Sequence, residues 1–276
     1  MPATMIIEPA PAKINLALHL RRRRADGYHD LESIFAFTAF GDMLHGEAAD
    51  TLTLSLAGPT AAAADVGDDN LVLRAARMLA AAGGVQPGAR LHLDKQIPVA
   101  AGLGGGSADA AAALRLLNRL WALDWPLERL AVLAEPLGAD VPVCVFSQTR
   151  LGQGKGEALS PWPHHHGGTP VLLVNPRVSV PTGPVFAGWD RQDRGGIAAD
   201  LPLQALRNDM TAAAVAIQPV IADVLAALAA DGAASLVRMS GSGATCLALY
   251  PNAGARDRAA AALAGQGWWL WPTHIL

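Results

Sequence analysis

The stretch Pro98-Val-Ala-Ala-Gly102-Leu-Gly-Gly-Gly-Ser107-Ala-Asp-Ala-Ala-Ala-Ala-Leu114 runs a glycine-packed loop without a break into a strongly helical segment. Four glycines in five positions let backbone N–H groups approach and encircle an anion. A helix beginning near Ser107 adds unpaired amides and the positive end of its dipole. That layout suits a nucleotide phosphate; the plainer reading is a tight turn ahead of a helix. A Walker loop is excluded, because Gly106 is followed by Ser107-Ala108 rather than by Lys-Ser/Thr. A dinucleotide fingerprint fits poorly too: its third glycine would fall on Ser107, and Pro98 interrupts the strand that should precede it.

Other residues carry chemistry only in the right setting. Lys13 stands directly before the apolar run Ile14-Asn-Leu-Ala-Leu18, where a strand would be partly buried, and a buried ammonium needs a partner. Asn15, two residues on, points to the same strand face. Asp140, after Gly138-Ala139, is by itself an ordinary turn residue. Tyr28-His29 offers a ring to stack on a base and an imidazole to read its polar edge, or is simply an amphipathic loop pair. Arg21-Arg-Arg-Arg24 is a solvated basic turn, or one of its arginines attracts an anionic substrate. His164-His-His166 reads as a polar loop, since no other ligand cluster accompanies it.

The elements that must hold these residues alternate as in a mixed α/β protein built from two halves. Strand-like patterning occupies 6–20 and 34–56, and Leu71 to Ala82 forms an alanine-leucine helix stopped by Gly83-Gly84. Leu91-His-Leu93 is a short strand. From Ser107, a suitable N-cap, to about Trp121, the residues Ala110, Leu114, Leu117 and Trp121 fall on one helical face. A further helix covers Pro126 to Leu137, and Val141 to Phe146 reads as a buried strand. Gln153 to Thr169, rich in Gly, Pro and His, is expected to be the connection between halves. Beyond it lie a strand at Val171 to Val174, helices at Asp209 to Ile217 and Pro219 to Ala230, and a second glycine loop, Arg238-Met-Ser-Gly-Ser-Gly243. A strand at Ala244 to Tyr250, a helix at Ala253 to Ala264 and a strand near Trp268 to Trp271 close the chain.

Three motifs therefore stand in fixed order: Pro11-Ala-Lys-Ile-Asn-Leu16, Pro98 to Ala112, and Met239-Ser-Gly-Ser-Gly-Ala244. This pattern resembles the GHMP kinase superfamily, and Arg24-Ala-Asp-Gly-Tyr-His-Asp-Leu-Glu-Ser-Ile-Phe35 is similar to the branch whose acceptor carries a cytidine diphosphate handle. The resemblance spans most of the chain. It implies an α/β (α+β) fold of two lobes with the active site in the cleft between them, an N-terminal ATP-binding domain over 1–160 and a C-terminal domain over 161–276. The implied reaction passes the γ-phosphoryl of ATP to a hydroxyl of a cytidine diphosphate-linked polyol on the non-mevalonate route to isoprenoids.

The same resemblance implies residue roles. Asp140 would be the catalytic base and Lys13 its cationic partner. ATP would lie against Asn70, Leu71, Val72, Lys95, Pro98, Gly102, Leu103, Gly104, Gly105, Gly106 and Ser107. The acceptor would lie against Asn15, Tyr28, His29, Thr182 and Phe186, with Phe186 the ring opposing Tyr28. Ser107 is the candidate ligand for Mg²⁺ or a phosphate oxygen, although its place at a helix start suffices to explain a serine. Ala108 departs from relatives with a second serine there. Rival readings are a homoserine or mevalonate kinase type, or a nucleotide-binding relative without catalysis; Asp26-Gly-Tyr-His29 argues against the first, and Lys13 with Asp140 against the second.

Composition bounds the remainder. The chain has 276 residues, 51% of them apolar, which is ample for a packed core. A net charge of -3 leaves no nucleic-acid footprint, and no apolar run approaches a membrane span. Met1-Pro-Ala-Thr-Met-Ile-Ile lacks the features of a signal peptide. Cys144 and Cys246 sit in apolar segments as free buried thiols, so a cytoplasmic small-molecule enzyme is expected.

Overall fold

A computed structural model of the chain describes residues 5–64 and 67–276; Met1–Thr4, the start of the stretch read for a signal peptide, lie outside the described residues. The order of elements is β1 (Ile6–Arg23), β2 (His29–Glu47), β3 (Thr53–Ala57), α1 (Leu71–Gly83), β4 (Arg90–Asp94), α2 (Gly105–Leu120), α3 (Leu127–Ala134), α4 (Val141–Phe146) and β5 (Arg150–Gln153). There follow β6 (Ala158–Pro161), β7 (Pro170–Asn175), α5 (Thr182–Ala187), α6 (Thr211–Ile217), α7 (Val220–Ala229), β8 (Leu236–Met239), β9 (Cys246–Leu249), α8 (Ala253–Leu263) and β10 (Trp269–His274).

Two compact units share these elements. One comprises Met1–Lys13, Phe40–Val99 and Gly104–Ser147; the other comprises Ile14–Ala39, Ala100–Leu103 and Gln148–Leu276. The chain thus passes between them within β1, within β2, after Val99, again before Gly104 and after Ser147, whereas the sequence reading divides it once, after residue 160.

In the first unit, the end of β2 pairs antiparallel with β4, Leu44 opposite Leu93, and β4 pairs parallel with β3. A parallel pair needs a crossover, which α1 provides. Asn70 caps α1 by accepting from Val72 N at 2.9 Å, and Gly84, with φ +65°, ends it. The alanines of α2 allow close approach: Ala110 to Ala113 are fully buried where the helix packs on α1 and α4.

In the second unit, β2 pairs with β5 through Ile34 opposite Leu151, and β5 turns back into β6. A separate antiparallel sheet runs in the order β10-β7-β9-β8. Its apolar face, with Leu172, Val174, Cys246 and Ala248, packs on Ile221 and Val224 of α7 and Ala255 and Ala259 of α8.

Three local expectations change. Val141 to Phe146 is a helix, not a strand. A six-residue apolar run does not distinguish the two, and here Pro142 sits in the first turn while the segment packs on α2 and α3. Ser107 does not cap α2. Gly104 does, at φ +65°, and the first helical bond runs from Ala108 N to Gly104 O at 2.8 Å. Gln153 to Thr169 is not a bare connection, since it holds the end of β5 and all of β6. Strand β1 is also buried residue after residue from Ala10 to Leu20 rather than alternately, the pattern of a strand covered on both faces.

Candidate active site

Within the first unit, β1 delivers Lys13 and the turn before α4 delivers Asp140. The Lys13 Nζ lies 2.9 Å from Asp140 Oδ2, with the lysine side chain 5% exposed and the aspartate 36% exposed. A buried cation thus meets a carboxylate that solvent, or a ligand, can still reach. Gly104 stands over this pair: a Cβ there would lie 3.2 Å from Lys13 Cε and 3.9 Å from Asp140 Oδ2, and φ +65° already favours glycine. The helix that starts at Gly105 leaves the amides of its first turn, Gly105, Gly106 and Ser107, outside the helical bonding pattern. Together with the dipole they make a helix end suited to an anion, beside a lysine–aspartate pair.

Leu71 borders the same helix end, since a Cβ on Gly106 would lie 3.5 Å from its Cδ1. Val72, by contrast, is 1% exposed and turned into the core, as is Leu103 of the loop. Each can offer a ligand only backbone.

Lys95 sits in a buried charge cluster. Its ammonium is 2.6 Å from Asp109 Oδ2 and also ion-paired with Asp42 Oδ2, all three residues being buried. Burial works against the charge on Lys95, but Asp109 and Asp42 outweigh it and hold its pKa above the ordinary lysine value. Asp42 Oδ1 accepts from Gln96 N at 2.5 Å and Ile97 N at 2.7 Å. Lys95 therefore staples the entry of the glycine loop to α2, its charge shared between two carboxylates. Burial, followed by the opposing influences of Lys95 and Asp42, leaves the Asp109 carboxyl well above the usual range, and its Oδ1 has no partner among the described residues.

The second unit holds the residues expected to meet the acceptor. His29 stacks on Phe186 with ring centroids 5.1 Å apart and meets Trp189 edge-on at 5.8 Å. Tyr28 is 58% exposed, with the Lys155 ammonium 5.1 Å from its ring centroid. Phe186, expected opposite Tyr28, has His29 stacked on it. Thr182 Oγ1 bonds Ser242 Oγ at 3.0 Å. Asn15 is buried, donating from Nδ2 to Ser33 Oγ at 2.7 Å, while its backbone N–H donates to Ser240 Oγ at 3.3 Å.

The first half of the glycine loop packs on the third motif. Ser240 Oγ donates to Gly102 O at 2.9 Å, and Thr245 N donates to Ala101 O at 3.2 Å. A Cβ on Gly102 would lie 2.7 Å from the carbonyl oxygens of both Ser240 and Gly243, so only glycine fits. Sequence reasoning missed two residues that shape this motif. Asn208 donates from Nδ2 to Met239 O and Gly241 O, each at 2.8 Å. Arg238 donates to Leu16 O and Leu206 O, and burial pushes its pKa down to about 10. The one signal for Asn208 was its place in Asn208-Asp209, just before a helix.

Among the described residues no group of three or more His, Cys, Asp or Glu side chains is placed to hold a metal ion. His164 Nε2 bonds Ala199 O at 2.5 Å.

The GHMP kinases N terminal domain matches residues 70–148, and the GHMP kinases C terminal domain matches residues 190–267. A 4-diphosphocytidyl-2-C-methyl-D-erythritol kinase of Rhizorhabdus wittichii is 53% identical over 270 residues, covering 95% of this chain and 92% of the relative. One of Methylobacterium radiotolerans is 50% identical with 99% of both chains covered. A crystal structure of a 4-(cytidine 5'-diphospho)-2C-methyl-D-erythritol kinase aligns with TM-score 0.82 at 32% identity, covering 98% of this chain and 99% of that one. The homoserine kinase of Cytophaga hutchinsonii shares the fold alone, with TM-score 0.76 at 18% identity over 98% of this chain and 95% of that one. The chain belongs to the GHMP kinases and, within them, to the 4-diphosphocytidyl-2-C-methyl-D-erythritol kinase family.

Proposed function

We propose that this kinase transfers the γ-phosphoryl of ATP to the 2-hydroxyl of 4-diphosphocytidyl-2-C-methyl-D-erythritol. The observation that carries the reading is the Lys13–Asp140 pair at 2.9 Å beneath Gly104 and the open end of α2. Phosphoryl transfer needs the donor's charge held, the acceptor oxygen in line, and a group to take its proton. The first-turn amides of α2 hold phosphate oxygens. Asp140, the accessible carboxylate, accepts the proton of the attacking hydroxyl. Lys13 fixes Asp140 in place and stabilises the charge on the phosphoryl in flight.

Mg²⁺ belongs to this proposal as a companion of the nucleotide. Mg²⁺ is commonly bound through substrate phosphates, one or two protein oxygens and waters, and the Ser107 hydroxyl at the helix end fits that donor set. The ion would neutralise phosphate charge. On the acceptor side, His29, Phe186 and Trp189 provide the aromatic shelf for a pyrimidine, with Asn15, Tyr28 and Thr182 as further contacts. A cytoplasmic location completes the reading, supported by two buried free thiols, Cys144 and Cys246. Among the described residues no helix is long and apolar enough to cross a membrane.

The test is ADP release from ATP with and without the diphosphocytidyl acceptor, alongside homoserine and mevalonate. Release stimulated by the diphosphocytidyl acceptor alone supports the reading. Stimulation by one of the others instead, or by none, overturns it.

A further inference from the structure

The arginine run Arg21–Arg24 and the loop after α5 are crowded with charge, and most of it is matched. Arg21 pairs with Glu32 at 2.6 Å and Asp193 at 2.8 Å. Arg22 pairs with Asp30, Arg24 pairs with Asp30 at 2.8 Å and Asp26 at 3.1 Å, and Arg194 pairs with Asp190. Every carboxylate of 26–32 and 190–193 is thereby engaged. Among the described residues Arg23 and Arg191 form no ion pair, and both are exposed.

These two arginines converge on one place. Arg24 N donates to Tyr28 O at 2.8 Å, and the Arg22–Asp30 pair spans the same hairpin. In that register Arg23 lies opposite His29, on the other face from Arg22 and Arg24. The His29 imidazole is held below its ordinary range by burial first, then by the charges of Arg23 and Arg191. Arg191 follows Trp189 by two residues and adopts φ +62°, a left-handed conformation uncommon outside glycine. Two exposed arginines outside any ion pair among the described residues thus adjoin the shelf residues, Arg23 across the hairpin from His29 and Arg191 two residues beyond Trp189.

We infer that Arg23 and Arg191 bind the diphosphate bridge of the acceptor while its base rests on that shelf, and so set the enzyme's preference for a nucleoside diphosphate handle. The inference rests on the proposed reaction. Guanidinium suits the task because its planar fork meets phosphate oxygens two at a time. The sequence offers four consecutive arginines, and the ion pairs single out one of them.

The experiment measures competition by CDP and by cytidine against the acceptor in the wild type, Arg23→Gln, Arg191→Gln and the double variant, with Arg22→Gln as control. Each single variant should weaken CDP about tenfold, the order expected for one charge-assisted contact, and cytidine less than about twofold. The KM for ATP should stay within about twofold, and Arg23→Lys should recover part of the loss. Equal weakening of CDP and cytidine, or no weakening of either, overturns the inference. If the wild-type enzyme neither turns over the diphosphocytidyl acceptor nor binds CDP, the functional reading itself falls.

Discussion

Lys13 and Lys95 lie in one unit, and each is 4% exposed. Their partners differ. Lys13 meets Asp140, whose side chain is 36% exposed. Lys95 is shared between Asp42 and Asp109, whose side chains are 0% and 6% exposed. A buried cation always needs a counter-charge, so burial alone says nothing about catalysis. What separates the two is whether the counter-charge can be reached by something that is not protein. Asp140 can be reached; Asp42 is spent on a lysine and two backbone amides.

That contrast can be broken in order of size. Asp140→Asn should lower kcat by about 10² to 10⁴, the usual range for a general base, with the melting temperature nearly unchanged. A near-normal kcat would remove Asp140 from the mechanism. Lys95→Met should act on the fold instead, costing about 3–5 kcal/mol in urea unfolding because two buried carboxylates lose their cation. If Lys95→Met unfolds like the wild type, the staple is unimportant. Pairing Lys95→Met with Asp109→Asn should restore part of that stability, a coupling seen by completing the double-mutant cycle. Asn208→Ala should cost about 1–3 kcal/mol by leaving the carbonyls of Met239 and Gly241 unpaired, and should raise KM more than it lowers kcat.

The smallest effect concerns His19, buried between Gly195 O at 3.0 Å and Arg207 N at 3.2 Å. Burial first, then Arg207, lowers its pKa below 6.5, so the folded state favours the neutral ring. Its contribution is fully present above 6.5 and is lost as pH falls through the folded value. The wild-type melting temperature should accordingly drop more steeply from pH 7 to 5 than that of His19→Gln; parallel profiles would contradict this.

Sequence patterns were most legible where chemistry is local. The glycine loop, the α1 helix with its Gly83-Gly84 stop, and the setting of Lys13 ahead of an apolar strand all follow from neighbours in the chain. Ser107 and Val141–Phe146 were misread for physical reasons: a glycine with positive φ can begin a helix without a capping side chain, and a short apolar run takes its form from its packing partners. The Lys95 ion pairs are not legible in the sequence because one partner, Asp42, lies 53 positions away, and no local pattern announces an ion pair. Asn208 and Arg238 were missed on the same ground, since each works through carbonyls of distant segments.

The interleaving of the two units bears on how the protein is made. Every residue of the first unit has been synthesised once Ser147 is joined, while the second still lacks β5 to β10. Domains tend to fold as units as they leave the ribosome. The lysine–aspartate pair and the open end of α2 can therefore form while Ile14–Ala39 and Ala100–Leu103, already made, still wait for their remaining partners. A pause in translation after residue 147 would then give the first unit time to settle, and a pause before it would not.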